Sequence, residues 1–376
     1  MTPSGRPFEG RLEDLLGRDP VECDLDSIRA ELAGKRVLIT GGAGSIGREI
    51  ARQVARLDPR RLVIFDRAET AVYLAQRSFE RSFPRAPIEC VVGDVQDPVR
   101  VEWAMRTFSP HIVFHAAAFK HVPVMEAHPA EAFKNNVLGT RNVAEAAARH
   151  AAERFVLVST DKAVNPVSVM GATKRLAELV VGEIPGKTRF VSVRFGNVLG
   201  SDGSVVTIFL DQIAEGGPVT VTHPDAARYF MTIEEAVRLV LQAGSMGSGG
   251  EVFRLDMGEP VRILDLARKL IERSVCRPGK EIAIVYTGLR PGEKLTEEIC
   301  AADEEWDETS YDKVLRLKNK SAVSAVLQKV REVESVLSLY PEESDSRVRQ
   351  ALSDLIPAVG NRREAAPSSR RSLRAV

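Results

Sequence analysis

Residues 36–47 read RVLITGGAGSIG: an apolar run that ends in a glycine-rich turn and leads into residues with helical spacing. Val37–Thr40 is expected as a strand and Ser45–Leu57 as a helix, so the glycines sit at a strand-to-helix junction. Gly41, Gly44 and Gly47 fit G-x-x-G-x-x-G, and Gly42, Gly44 and Gly47 fit G-x-G-x-x-G. At such a junction backbone N–H groups and the positive end of the helix dipole attract an anion, and side chains would block its approach. Glycine triads match many tight turns by chance. The flanking strand and helix, and an acidic residue at the end of the next strand, give this one meaning. That residue is Asp66, 19 positions after Gly47. The pattern predicts a dinucleotide site, with pyrophosphate over Gly41, Gly44, Ser45, Ile46 and Gly47 and ribose hydroxyls donating to Asp66. A carboxylate there repels a 2′-phosphate, which favours NAD over NADP; the neighbouring Arg67 pulls the other way.

Outward from this stretch the pattern alternates. Strands are expected at Leu62–Phe65, Ile88–Val92, Ile112–Ala116, Phe155–Ser159 and Phe190–Arg194. Between them lie helical spacings at Ala71–Phe83, Val99–Phe108, Ala130–Arg149 (one long helix) and Ala172–Gly182. This rhythm predicts an α/β fold, a doubly wound parallel (Rossmann) sheet spanning residues 35–197. Residues 1–34 form an N-terminal extension, a short helical or irregular cap. From about residue 198 glycines, prolines and short apolar segments predict a smaller C-terminal substrate-binding lobe over residues 198–330. It holds helices at Ile233–Ala243 and Ile263–Arg273 and a strand at Val252–Leu255, with one segment free to return to the main sheet. Residues 331–376 are expected as a C-terminal helix and a basic tail (NRREAAPSSRRSLRAV from 361) too poor in apolar residues to fold.

The composition excludes several classes. Lysine plus arginine equal aspartate plus glutamate at 52 each, so net charge gives no global reason to bind nucleic acid or an anionic membrane. No apolar run reaches the ~18 residues of a membrane span. The opening MTPSGRPFEGRLEDLL lacks an apolar signal core, so a cytoplasmic location is expected. Cys23, Cys90, Cys276 and Cys300 are scattered without metal-site spacing, and neither a metal nor a disulfide is expected.

A second stretch carries the chemistry. Ser159-Thr160-Asp161-Lys162 closes the apolar strand FVLVS, and Met170-Gly171-Ala172-Thr173-Lys174 opens the next helix. Ligands of α/β sheets bind beyond the carboxyl ends of strands, which puts Thr160, Asp161 and Lys162 at the cofactor. Met170 and Lys174, four residues apart, share a helix face. Together with the glycine turn this resembles the extended short-chain dehydrogenase/reductase family acting on nucleotide sugars. That family normally uses Tyr-x-x-x-Lys to move a hydroxyl proton; here Met170 stands at the tyrosine position, and a thioether can neither ionise nor donate a proton. The segment STDKAVNPVSVMGATKR (159–175), with RPGEKL (290–295), resembles the polysaccharide-biosynthesis UDP-N-acetylglucosamine 4,6-dehydratases, whose larger members carry methionine there. Those larger members usually have N-terminal membrane helices. From about residue 10 to 320 this chain resembles their catalytic part.

The resemblance implies internal hydride transfer from sugar C4 to C6 with loss of water, giving a UDP-4-keto-6-deoxy sugar. It implies Asp161 as acid toward the C6 hydroxyl, Lys162 as base at C5, Thr160 at the 4-hydroxyl and Lys174 on the nicotinamide ribose. It places Asp94 and Val95 by the adenine, Ala116, Ala117 and Ala118 beside the nicotinamide ribose, and Asn136 where it orders the catalytic loop. Asn197, Arg228 and Arg290 would grip the sugar diphosphate, Glu293 the uridine ribose and Val219 the uracil edge. Lys120 and His121 are within reach of substrate and are given no role. A neutral Lys162 near pH 7 requires its pKa to fall from ~10.4 by roughly 3 pH units, about 4 kcal/mol, and a protonated Asp161 would ease that.

Each of these residues also has a plainer reading: Arg67, Arg228 and Arg290 as solvated charges, Met170 as core filler, Asp161-Lys162 as a surface pair. Two other functions stay open. A nucleotide-sugar epimerase would share the 4-keto intermediate without needing a C5 base. An inactive NAD-binding regulatory protein would explain Met170 alone. Inversion at C5 and homo-oligomer formation also stay open.

Overall fold

The computed structural model describes residues 11–17, 23–274, 282–318, 326–339 and 341–356. Cys276 and the basic tail lie outside the described residues.

Six strands alternate with helices, the first of them running into the glycine turn: β1 (Arg36–Thr40), β2 (Arg61–Asp66), β3 (Ile88–Val92), β4 (Ile112–His115), β5 (Arg154–Val158) and β6 (Arg189–Arg194). They run parallel in the order β3-β2-β1-β4-β5-β6. Val37, Leu38 and Ile39 of β1 and Phe155, Val156 and Leu157 of β5 are all buried, as a strand covered on both faces requires. The sheet then recruits the later chain. Glu251–Leu255 adds parallel to β6, and Val314–Leu317 and Trp306–Glu308 add antiparallel beyond it, making nine strands.

Helices cover both faces. Ser45–Ala55, Glu69–Ser82 and Ile233–Met246 pack on one through Ile50, Val54, Val72, Phe79 and Val240. Pro98–Phe108, Gly139–Arg149 and Val169–Glu183 pack on the other through Val101, Val143, Leu176 and Val180. A third apolar cluster, with Val206, Phe209, Val219, Val221, Leu266 and Leu270, belongs to the C-terminal lobe. Leu15 of the N-terminal segment plugs into it.

The expected long helix over 130–149 is not continuous. Pro129–Phe133 is α-helical, Lys134–Leu138 is a π-helical turn and Gly139–Arg149 resumes the α-helix. The wider turn carries Asn135 and Asn136, both buried, and helical periodicity cannot reveal a single inserted residue. The C-terminal region holds two helices, Val326–Leu339 and Ser344–Leu355, where one was expected. Val348 and Leu352 are fully buried in the core around the Val169–Glu183 helix. Glu183 of that helix accepts the N–H groups of Val326 (3.0 Å) and Leu327 (2.9 Å), satisfying the first turn of the incoming helix.

Strand order reverses between β1 and β4. The crevice at that switch point, at the carboxyl ends of the strands, is where an open α/β sheet binds its ligands.

Candidate active site

The glycine turn is built by close approach. Gly41 has φ +65°, and a Cβ there would lie 2.6 Å from the Ala117 nitrogen. A Cβ on Gly47 would lie 2.2 Å from the Gly41 carbonyl oxygen, so the Ser45–Ala55 helix can start this tightly only on glycine. Asp66 braces the turn, accepting from Ala43 N (3.1 Å) through Oδ2 and from Ala68 N (3.0 Å) through Oδ1. The Arg67 guanidinium stacks 4.3 Å over the Phe119 ring and sits 3.6 Å from Asp94. Asp66, Arg67, Asp94, Val95 and Ala116–Ala118 together line a hollow of about 150 Å³ that also touches Gly41 and Gly44. Ser45, Ile46 and Gly47 line an adjoining cavity of about 840 Å³.

That larger cavity brings the two informative stretches together. Thr160, Lys162, Met170, Lys174 and Asn197 share its wall with the glycine turn. β5 delivers the first of these. Beyond Val158 the chain still pairs with its neighbour, through Ser159 N to Val193 O (2.7 Å) and Asp161 N to Phe195 O (2.9 Å). Asp161–Ala163 then forms one tight turn capped by the Thr160 hydroxyl. A Cβ on Gly171 would lie 2.2 Å from the Lys162 carbonyl oxygen, so the helix bearing Met170 and Lys174 rests directly on this turn.

Asp161 is 2% exposed. Its Oδ1 accepts from Lys162 Nζ (2.9 Å) and from the Thr160 hydroxyl (3.0 Å), while Oδ2 has no hydrogen-bond partner. Lys162 Nζ also donates to Asn197 Oδ1 (3.1 Å) and lies 3.6 Å from Glu297 Oε1. The expectation of a depressed Lys162 is overturned here. Burial pushes the ammonium toward losing its proton, but Asp161 and Glu297 outweigh it and hold Lys162 above its usual pKa. The depressed lysine is Lys174, taken down to about 8 by burial against the pull of Glu178. Its Nζ donates to Val158 O (2.7 Å). Asn136 donates to Phe119 O (3.1 Å) and to the Thr173 hydroxyl (3.1 Å) and accepts from Phe119 N (2.8 Å). It thereby ties the loop after β4 to the Met170 helix.

The nucleotide-side residues are not gathered to this wall. Of Asn197, Val219, Arg228, Arg290 and Glu293, only Asn197 lines the cavity. Val219 is buried in the lobe, paired with Ile284. Arg228 donates to the carbonyl oxygens of Leu295 (2.9 Å) and Lys294 (2.8 Å), and Arg290 pairs with Glu293 (2.8 Å) at the surface. The RPGEKL stretch has a structural duty besides: Lys294 donates to Val164 O (3.1 Å), docking the stretch on the Asp161 turn.

Sequence reasoning missed Glu297, buried beside Lys162, and Asp202, whose carboxylate accepts from the Ser45 hydroxyl (2.8 Å). It also missed Glu178. Glu297 follows RPGEKL closely, but nothing in TEE tells which carboxylate turns inward.

Among the described residues no helix is long and apolar enough to cross a membrane, and no cluster of three or more histidine, cysteine, aspartate or glutamate residues can hold a metal ion.

Comparison with known proteins agrees with this architecture. The polysaccharide biosynthesis protein family matches residues 37–319. The capsular polysaccharide biosynthesis protein CapD of Staphylococcus aureus is 52% identical over 311 residues, 82% of this chain and 52% of the relative. The chain thus spans about half the length of that relative. A UDP-N-acetylglucosamine 4,6-dehydratase (inverting) of Campylobacter jejuni is 36% identical over 278 residues, 72% of this chain and 79% of that one. The X-ray structure of Pen from Bacillus thuringiensis superposes with a TM-score of 0.72 at 34% identity, covering 82% of this chain and 98% of that chain. A Thermus thermophilus UDP-glucose 4-epimerase, solved in complex with NAD, superposes with a TM-score of 0.59 at 26% identity, covering 70% and 90%. A glycine-turn crevice, a strand-end Asp-Lys pair and a match along most of the folded chain lead to one conclusion: the protein belongs to the polysaccharide biosynthesis protein family.

Proposed function

We propose that the chain catalyses the NAD-dependent 4,6-dehydration of UDP-N-acetylglucosamine to a UDP-4-keto-6-deoxy sugar. The observation that carries the reading is the Asp161–Lys162 pair, 2.9 Å apart: Lys162 lines the cavity beside a methionine that can exchange no proton, and the buried Asp161 backs it from behind the wall. The glycine cradle, closed to any side chain, and the Asp66 carboxylate fit a dinucleotide's pyrophosphate and ribose. NAD bound there would supply hydride acceptance at C4 and hydride return at C6.

The chain's own residues handle the protons. Thr160 takes the hydrogen bond of the 4-hydroxyl and passes its proton onward. The Asp161–Lys162 pair holds one proton between carboxylate and amine. Moving it from Nζ to Oδ1 turns the ion pair into a carboxylic acid and a free amine, the forms the elimination needs, without any depressed lysine in the resting protein. The amine then removes the C5 proton made acidic by the 4-ketone, and the acid protonates the departing C6 hydroxyl, which leaves as water. Elimination leaves the pair as ammonium and carboxylate again; the ammonium then reprotonates C5, and the proton given up by the 4-hydroxyl, passed through Thr160, refills the amine and restores the starting state. The sugar loses one water and undergoes no net redox change. Lys174 provides a nearby positive charge, and Asn197 holds Lys162 in place.

Incubation with UDP-N-acetylglucosamine in deuterated water tests the reading by NMR of the product. A 6-deoxy-4-keto sugar carrying deuterium at C5 is expected. A C4 epimer would instead mark a nucleotide-sugar epimerase, the class of the UDP-glucose 4-epimerase of Rickettsia massiliae, which is 34% identical over 279 residues. Unchanged sugar with NAD bound would mark a regulatory protein.

A further inference from the structure

We infer that Glu297 is a positioning residue for Lys162, a buried carboxylate that holds the ammonium on a second side from Asp161 and couples it to Arg228. The inference rests on the role just proposed for Lys162. Glu297 is 4% exposed; its Oε1 lies 3.6 Å from Lys162 Nζ and 3.7 Å from Arg228 Nε, and its Oε2 has no hydrogen-bond partner. A buried carboxylate with an unpartnered oxygen is costly and is retained where a protein uses it.

The segment is held there by contacts on both sides. Thr296 bridges to Ala227, Ala227 N donates to Leu295 O (3.0 Å), and Arg228 takes the carbonyls of Lys294 and Leu295. Next door, Asn165 donates to Glu298 (2.7 Å), so the stretch is tied to the loop that follows Lys162 itself. Glu297 cannot leave without unpicking these bonds.

Three charged groups act on Lys162. Asp161 comes from its own turn, Glu297 from the stretch after RPGEKL, and Arg228 from the strand Ala227–Arg228. The two carboxylates favour the ammonium and the guanidinium opposes it. With Glu297 neutralised, Lys162 gives up its proton more readily. With Arg228 neutralised, it holds the proton more tightly.

The test is competitive acylation of the full chain with acetic anhydride across pH 7–10, reading Lys162 labelling by mass spectrometry. Glu297→Gln is expected to raise Lys162 labelling at pH 8 several-fold, and Glu297→Asp to return it toward wild type. In turnover, the alkaline limb of kcat in Glu297→Gln moves to lower pH, with KM for UDP-N-acetylglucosamine within about 3-fold of wild type. Wild-type labelling in Glu297→Gln overturns the inference. Should that variant fail to fold, Arg228→Gln must slow the labelling, and an unchanged rate overturns the inference equally. Labelling needs no turnover. A protein that labels as expected yet leaves the sugar nucleotide unchanged supports Glu297 and refutes the proposed reaction alone.

Discussion

Two buried charge clusters hang from the carboxyl ends of β5 and β6, and they are finished differently. In the first, Glu178 accepts from Ser159 (2.6 Å), Arg175 (3.0 Å) and both ends of the Arg194 guanidinium (2.9 and 2.8 Å). Arg194, 1% exposed, also donates to Glu304 (2.8 Å). Both Glu178 oxygens are partnered. In the second, Asp161 and Glu297 share Lys162, and each keeps one buried oxygen without a partner. Only Thr160 separates Ser159 of the first cluster from Asp161 of the second. A satisfied buried network rigidifies a fold; one left short of donors keeps hydrogen-bonding capacity for something that arrives. The first cluster is read as the frame and the second as the tool.

That contrast can be broken by substitution. Lys162→Ala should lower kcat for sugar dehydration by about 10³-fold or more while NAD still binds, measured by NMR turnover and cofactor titration. Full activity in that variant removes Lys162 from the chemistry. Arg194→Met should act on the fold: it strands the Glu178 carboxylate and costs roughly 3–5 kcal/mol of stability, a Tm fall of roughly 4–8 °C by calorimetry.

The frame should also answer to pH. Burial alone would raise the Glu178 carboxyl, but Arg194 outweighs it and takes the group down to about 2. A carboxylate depressed on folding contributes stability above its unfolded value of ~4.3, and that contribution is lost as pH falls toward 2. Glu178→Gln should therefore flatten the acid side of the denaturant-midpoint profile between pH 5 and 2. His115 adds to the same limb. It is fully buried between Thr40 (2.6 Å) and Thr140 (2.9 Å), and burial pushes it down to about 3. Its folded form resists protonation, so stability falls as pH drops below its unfolded value of ~6.5. The smallest effect belongs to Met170, 3% exposed: Met170→Leu conserves volume and removes no proton, and kcat should stay within about 3-fold of wild type. A large loss there would mean that the sulfur itself matters.

Much of this was legible in the chain. RVLITGGAGSIG, Asp66 and the strand-helix alternation led to the parallel sheet because periodicity and backbone chemistry are local properties. STDK and the Met170–Lys174 spacing led to the cavity wall for the same reason. The π turn at Lys134–Leu138 was not legible, since one extra residue hardly disturbs a helical pattern. Nor was the direction in which Lys162 shifts. Sequence placed it by Asp161 and Lys174, but its surroundings include Glu297, 135 residues later, and pKa is set by neighbours in space. The four nucleotide-side residues away from the cavity wall show the same limit. Residue type marks the segments that carry them, and the contacts of each segment decide what its side chains face.

By itself the sequence determined the six parallel strands β1 to β6, the glycine turn at the head of the Ser45–Ala55 helix, and which residues close β5, because each rests on residue type and short spacing. Only the tertiary structure decided which buried charges are satisfied and which are left with an open oxygen, because Lys162 meets Glu297, and Glu178 meets Arg194, only once separate chain segments have packed.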